Sequence, residues 1–142
     1  LYGYTMMFRM TGDEKYLEHA ENIADMLLSR LPVDGIPYWD FDAPNGNEYS
    51  DASAGAIMAS AFVELSGFAT DEKARQNYLS IAEKQLRTLA SSHYLAEPGT
   101  NCNFILKHSV GNLPEKSEVD VPLSYADYYF LEALLRYKKA MG

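Results

Sequence analysis

The chain has 142 residues, of which 47% are hydrophobic and 13% aromatic, and its 12 basic and 20 acidic side chains give a formal net charge of −8. This length is typical of one domain with its own core, and the apolar content excludes a disordered chain. The acidic balance excludes a basic nucleic-acid-binding surface. The apolar runs are far shorter than the roughly 20 residues needed to cross a bilayer, so we expect neither a nucleic acid nor a membrane as a partner.

Cysteine and histidine usage limits the chemistry further. Cys102 is the only cysteine, which excludes an intramolecular disulfide and a cysteine-based zinc site. The three histidines lack the i, i+4 pairing of a helical metal site, so we expect no metal and no cofactor. The sequence starts at Leu1 without an initiator methionine or a signal-like segment. We therefore expect part of a longer protein and leave its compartment open.

Apolar residues at helical spacing predict five helices, three of them buried on most sides and two amphipathic. In chain order these are a buried helix over residues 2–10, an amphipathic helix over 13–31, a buried helix from 50 or 51 to 65, an amphipathic helix from 70 or 71 to about 92, and a buried helix from 122 or 123 to about 140. Buried and amphipathic helices thus alternate. This alternation predicts an all-α fold with an inner and an outer layer of helices, and two covering helices for three buried ones leave an apolar face open.

Two long segments interrupt the helices. Residues 32–50 contain three prolines and the only tryptophan, and we expect an ordered loop there. Residues 93–121 are predicted to be irregular, except for a short apolar piece at 104–106 that fits either a strand or a turn of helix.

Several segments carry a resemblance to a known family. The stretch Leu106-Lys-His-Ser-Val-Gly-Asn-Leu-Pro and the following residues 117–136, which include Tyr-Ala-Asp-Tyr-Tyr, resemble the C-terminal signature of the unsaturated glucuronyl hydrolases, glycoside hydrolase family 88. Residues 2–17 resemble the segment just after its Arg-Gly-Gln-Ala-Trp motif. Residues 38–44 and 51–57 resemble its loop and inner helix. The resemblance covers nearly the whole chain.

This resemblance implies an (α/α)6 barrel, of which residues 1–142 are the C-terminal part of a single domain. Family members remove the unsaturated glucuronic acid that lyases leave at the non-reducing end of oligosaccharides. An aspartate protonates the vinyl ether, water adds at C5, and the hemiketal opens and releases the sugar. The catalytic aspartates and the Arg-Gly-Gln-Ala-Trp motif precede Leu1, so we assign no catalytic residue and expect this chain alone to be inactive. The implied partners are an unsaturated uronic-acid oligosaccharide and the missing N-terminal part of the barrel, or a second copy, in a bacterial periplasm or cytoplasm.

The candidates for substrate binding are His108, Trp39, Asp40, Ser124 and Tyr125. His108 lies in a loop rich in Gly, Asn and Pro, where an imidazole suits either a substrate contact or a structural hydrogen bond. Trp39 suits stacking on a sugar or a place in the core, and Asp40 suits either the substrate rim or the capping of a loop turn. In a barrel, Ser124 and Tyr125 would open the last inner helix at the mouth of the cavity.

Other residues are given structural expectations. We expect His93 on the surface and Asp127 in the first turn of the last helix, where a carboxylate is electrostatically favourable. The net charge of −8 repels an anionic uronate at long range, and Lys107 is the only basic residue beside the candidate loops. Two alternatives stay open. One is a non-catalytic helical interaction module that associates through its inner helices, and the other is a related unsaturated rhamnogalacturonyl hydrolase.

Overall fold

The computed structural model describes residues 1–42 and 49–142. This part of the chain contains five α-helices, one 3-10 turn and one two-stranded sheet. Their bounds are Tyr2–Thr11 (α1), Glu14–Arg30 (α2), Ala52–Ser66 (α3), Glu72–Leu89 (α4) and Ser124–Ala140 (α5), with the 3-10 turn at Asn101–Asn103 and the strands at Ser109–Asn112 (β1) and Ser117–Val121 (β2). The five predicted helices are confirmed, with α4 ending a few residues early. None of the described helices combines the length and the apolar character that a membrane span needs.

Local sequence explains where the helices begin and end. An aspartate caps the start of three helices by accepting a backbone N–H from its own first turn: these caps are Asp13 of α2, Asp51 of α3 and Asp71 of α4. A carboxylate at this position satisfies an N–H group that the helix itself leaves without a partner. α1 ends at Gly12, whose φ of 69° is a left-handed conformation that glycine adopts without a Cβ penalty.

The helices form two layers, with α1, α3 and α5 in one and α2 and α4 packed against it. α3 is central, because it contacts all four other helices. The hydroxyls of Tyr2 in α1 and Ser60 in α3 both donate to Glu132 of α5. Further along the first two helices, Arg9 forms an ion pair with Glu64. α1 and α3 therefore run in the same direction, as neighbours in an inner layer would.

Two groups of buried side chains join the layers. One lies between α3, α4 and α5 and includes Ile36, Leu89 and Phe130, and the other lies between α2, α3 and α4 and includes Phe62. Most of the buried residues of α3 are alanine, serine or glycine. A Cβ on Gly55 would lie 2.9 Å from Cδ1 of Ile36, which is too close for an unstrained contact. The small residues of α3 thus set how closely its neighbours approach.

α1 and α5 are half exposed, which corrects the prediction that both are buried on most sides. In α1 only Thr5 is buried, and Met10 is 71% exposed. In α5, Tyr128 and Leu135 are 59% and 61% exposed. Among the described elements, α1 packs on α2 and α3, α5 packs on α3 and α4, and Tyr2 joins α1 to α5, so the rest of both helices stays uncovered. This is the open apolar face that the helix pattern predicts.

A β-hairpin forms over residues 109–121, which corrects the prediction of an irregular segment there. β1 and β2 are antiparallel, with Val110 opposite Val119. The strands are four and five residues long, and β2 is mostly exposed. β2 alternates polar residues with Val119 and Val121, but β1 does not, and two strands this short give too weak a pattern for a prediction.

Candidate functional site

The first turns of α3 and α5 lie at the same end of the molecule, beside the hairpin. Asp51, at the start of α3, is 7% exposed. Its Oδ1 accepts from the backbone N–H of Ser53 at 2.9 Å, from the Ser53 hydroxyl at 2.7 Å and from the backbone N–H of Val110 in β1 at 3.2 Å. We name Asp51, Ser53, His108, Asp120 and Tyr125 the helix-start cluster, because they join these two helix starts to the hairpin.

His108 connects the hairpin to α3. Its backbone carbonyl accepts the N–H of Ala52 at 3.0 Å, and its Nδ1 donates to Oδ1 of Asp120 in β2 at 2.6 Å. Its ring stacks on His93 with 4.7 Å between ring centroids and 18° between planes. The structural hydrogen bond considered for His108 is therefore present, and the substrate contact stays a prediction. His93 is exposed, as expected, but it packs against a site residue.

Aromatic and basic side chains surround this histidine. Tyr94 is buried and points an edge at the His108 ring, with 6.0 Å between the centroids. Burial raises the pKa of Tyr94, although a hydrogen bond from the Ser50 side chain opposes the rise. The Nζ of Lys107 donates to the backbone carbonyl of Ser92 at 2.8 Å. The one basic residue beside the candidate loops is thus held on the protein surface.

Tyr125 and Ser124 are both exposed in the first turn of α5. Burial of part of the ring raises the pKa of Tyr125, a hydrogen bond with Ser53 lowers it, and the negative charges of Asp51 and Glu118 raise it again. The tyrosine hydroxyl therefore stays protonated at physiological pH. Tyr125 thus lies in the first turn of the last helix, as predicted, and its place at the mouth of a cavity stays a prediction.

Trp39 and Asp40 lie on the loop before α3. Trp39 is half-buried, and its backbone N–H donates to the carbonyl of Tyr49 at 2.9 Å. Asp40 is exposed, and its Oδ1 accepts the N–H of Asp42 at 2.8 Å, which is the turn-capping role considered for it. Within residues 1–42 and 49–142, no hydrogen bond or aromatic contact joins this pair to the helix-start cluster. The rest of the loop, residues 43–48, lies outside the described residues.

Asp127 has a role that the sequence analysis missed. Its two carboxylate oxygens accept the backbone N–H groups of Ile105 and Leu106 at 2.8 and 2.9 Å. Leu106 also forms an isolated antiparallel bridge with Leu95, so residues 104–106 form neither a regular strand nor a turn of helix. Asp127 therefore fixes the segment that leads into His108 to the start of α5.

Replacing Asp127 with alanine is expected to lower the free energy of unfolding by about 2 kcal/mol, because two partly buried N–H groups lose charged acceptors. Urea unfolding of the chain measures this loss. Asp127→Asn keeps one acceptor oxygen and should show about half the effect. Faster amide hydrogen exchange at Leu106 should accompany both changes, and unchanged exchange there would contradict the assigned role of Asp127.

The cluster provides hydrogen-bonding groups and flat rings but shows no constellation for acid catalysis. The imidazole of His108 and the hydroxyls of Tyr125 and Ser124 suit sugar hydroxyls, and half-exposed aromatic rings suit sugar faces. Among the described residues, no group of three or more His, Cys, Asp or Glu side chains could hold a metal ion. Sequence reasoning found His108 but missed Asp120, whose partner lies on another segment and leaves no local signal.

Comparison with known proteins relates the chain to one group of enzymes. No family model matches it. It is 45% identical over 139 residues to an unsaturated glucuronyl hydrolase of Formosa agariphila and 32% identical over 143 residues to one of Bacillus sp. strain GL1, and these matches cover 96% and 99% of this chain. The crystal structure of an unsaturated glucuronyl hydrolase specific for heparin matches 97% of the chain with a TM-score of 0.93 and 52% identity. That of the Bacillus sp. GL1 enzyme matches 95% with a TM-score of 0.84 and 31% identity.

The chain spans about a third of the length of these relatives, namely 34% and 38% of the two sequences and 37% and 36% of the two structures. The structural neighbours are α/α barrels, so the two helical layers described above form part of such a barrel. Within the described residues, the small hairpin is the one sheet, and the all-α prediction did not include it. The chain is therefore related, in sequence and in fold, to the C-terminal portion of the unsaturated glucuronyl hydrolases.

Proposed function

We propose that this chain forms part of the substrate cavity of a glycoside hydrolase that removes unsaturated glucuronic acid from the non-reducing end of lyase-generated oligosaccharides. The observation that carries the proposal is the 45% identity to a glucuronyl hydrolase over 96% of the chain. The reaction is hydration of the vinyl ether, and the resulting hemiketal opens to release the sugar. The catalytic acid belongs to a part of the barrel that this chain does not contain, so the chain alone is inactive.

The helix-start cluster supplies binding rather than proton transfer in this proposal. His108 and Tyr125 face sugar hydroxyls, and Ser124 adds a third hydroxyl-binding group at the start of α5. Trp39 stacks on a sugar ring at the rim, with Asp40 beside it. The substrate class follows from the group that the named relatives share, the unsaturated uronyl residue. The relatives act on different glycosaminoglycan fragments by name, including heparin and chondroitin disaccharides.

The test is a completed barrel, in which this chain replaces the matching third of the Formosa agariphila enzyme. Turnover of an unsaturated uronyl disaccharide removes the conjugated double bond, so loss of its ultraviolet absorbance measures activity. We expect turnover by the completed barrel and none by this chain alone or by the remaining part alone. A folded barrel that leaves the absorbance unchanged would sink the proposal.

The same experiment separates the alternatives. Preference for an unsaturated rhamnogalacturonyl disaccharide would favour the related hydrolase instead. The open faces of α1 and α5, with Tyr128 and Leu135 exposed, are the surface that the rest of the barrel covers in our proposal. An inactive completed barrel, together with stable self-association of this chain in sedimentation, would favour the interaction module.

A further inference from the structure

Contacts with several other segments fix both the main chain and the side chain of His108. Its main chain is fixed to α3 through the N–H of Ala52, and the N–H of the preceding Lys107 donates to the carbonyl of Tyr94 at 2.8 Å. Its side chain is fixed to Asp120 by a 2.6 Å hydrogen bond and covered on one face by His93. Three separate segments thus determine where this one imidazole lies.

Both partners of the hydrogen bond between His108 and Asp120 also have an unfavourable backbone conformation. The φ angles of the two residues are 63° and 56°, in the left-handed region that non-glycine residues rarely adopt. Such conformations persist only where the surrounding structure determines them, and they concentrate at functional sites. The hairpin is therefore bent so that a carboxylate reaches this particular ring nitrogen.

The contact determines which nitrogen of His108 carries the proton. An ionised carboxylate only accepts hydrogen bonds, so Nδ1 must be the protonated nitrogen. In the neutral ring Nε2 then holds a free lone pair, and within the described part of the chain no protein group hydrogen-bonds to it. The His108 side chain is 33% exposed, so solvent or a ligand can reach it. Stacking on His93 opposes a ring flip that would exchange the two nitrogens.

We propose that Asp120 is a positioning residue that keeps Nδ1 of His108 protonated and thereby presents Nε2 as the acceptor for a sugar hydroxyl of the substrate. This inference rests on the proposed function and adds a residue to it. Asp120 itself does not touch the substrate. It acts through the tautomer and the orientation of the imidazole, with His93 as the flat surface against which the ring is held.

Because the substrate is an anion, a test can separate the effect of the Asp120 charge from its effect on the His108 tautomer. Removing a carboxylate near the site should, on charge alone, help a uronate to bind to a chain of net charge −8 and lower KM. Asp120→Asn in the completed barrel is expected to do the opposite and raise KM about tenfold, because an amide supports both tautomers and the acceptor is lost part of the time. We expect kcat to change less than about twofold, since no proton transfer depends on His108.

Glu115→Gln is the matched control, because Glu115 is an exposed carboxylate of the same hairpin. It removes the same charge and should leave KM unchanged or slightly lower. In a His108→Gln background, adding Asp120→Asn should raise KM no further, since Asp120 acts only through the imidazole. Long-range nitrogen–proton NMR on labelled histidine should show the Nδ1–H tautomer of His108 in the unsubstituted barrel and a mixture in Asp120→Asn.

Each outcome decides a different question. An inactive unsubstituted barrel overturns the proposed function and this assignment with it. An active barrel in which Asp120→Asn leaves KM unchanged or lower overturns the assignment alone. So does an Nε2–H tautomer of His108, or a full Asp120→Asn effect that persists in the His108→Gln background.

Discussion

Replacing Asp51 with alanine is expected to lower the free energy of unfolding by about 3 kcal/mol. The carboxylate caps α3, which is worth about 1 to 2 kcal/mol, and it also satisfies the buried N–H of Val110. The variant leaves that N–H without its charged acceptor in a nearly solvent-free position and removes one of the hydrogen bonds that join the hairpin to α3. Urea unfolding followed by far-ultraviolet circular dichroism measures the loss.

Asp71→Ala is the matched control for this prediction. Asp71 caps α4 in the same way, by accepting the N–H of Ala74 at 2.9 Å, but it is exposed and is not joined to the hairpin. We expect its replacement to cost about 1 kcal/mol, the value of a helix cap alone. Equal losses for Asp51→Ala and Asp71→Ala would show that the bond to Val110 contributes nothing.

Replacing Arg136 with methionine should have an effect of similar size, about 3 kcal/mol, because it removes the cation from a largely buried charge network. Arg136 contacts Glu64 at 2.6 Å and Glu132 at 3.4 Å, and their side chains are only 20%, 10% and 20% exposed, respectively. Removing the cation from such a network leaves buried carboxylates without a neighbouring positive charge. Glu64 retains Arg9, whereas Glu132 keeps only hydroxyl donors.

Denaturant unfolding of Arg136→Met, compared with Arg87→Met, checks this prediction. Arg87 pairs with Glu83 one turn away on the exposed face of α4, and exposed pairs of this kind contribute little. We expect Arg87→Met to leave the midpoint nearly unchanged. Adding Glu132→Gln to Arg136→Met should recover part of the loss, because it removes the uncompensated charge. If the two arginine variants unfold at the same denaturant concentration, the network does not stabilise the inner helices.

The helices could be predicted because their signals are local. Asp13, Asp51 and Asp71 cap the helices that follow them, and Gly12 terminates α1 through a left-handed turn. The burial of α1 and α5 could not be predicted in the same way. Apolar residues indicate that a face will be covered, but the described elements cover only one side of each of these helices.

The hairpin could not be predicted, because long-range contacts stabilise it. Glu118 and Asp120 have φ angles of 52° and 56°, which no propensity of these residue types predicts within a strand. Contacts with other segments hold the hairpin: Asp120 accepts from His108, and the N–H of Val110 in the paired strand donates to Asp51. A pattern-based analysis therefore interprets this segment as irregular.

The candidate site was predicted in part. His108 stood out because it lies in a loop of turn-forming residues, but its contacts with Asp120 and His93 depend on the folded hairpin. Asp40 caps a turn, as its residue type allows. The substrate contacts of Trp39 and Asp40 stay predictions, and the completed barrel is the system in which to test them.

The bond between Asp51 and Val110 joins residues that are 59 positions apart, and this separation affects how the site assembles. Most of the intervening chain is α3 and α4, which are joined by a short connection and pack on each other. The contact between Asp51 and Val110 closes a longer loop of chain than the packing of α3 on α4 does, and a longer loop costs more chain entropy. We therefore expect the hairpin to dock last during folding and to detach first. Local opening at this point does not require the helical layers to separate. The helix-start cluster can therefore lose and regain its geometry while both layers stay folded.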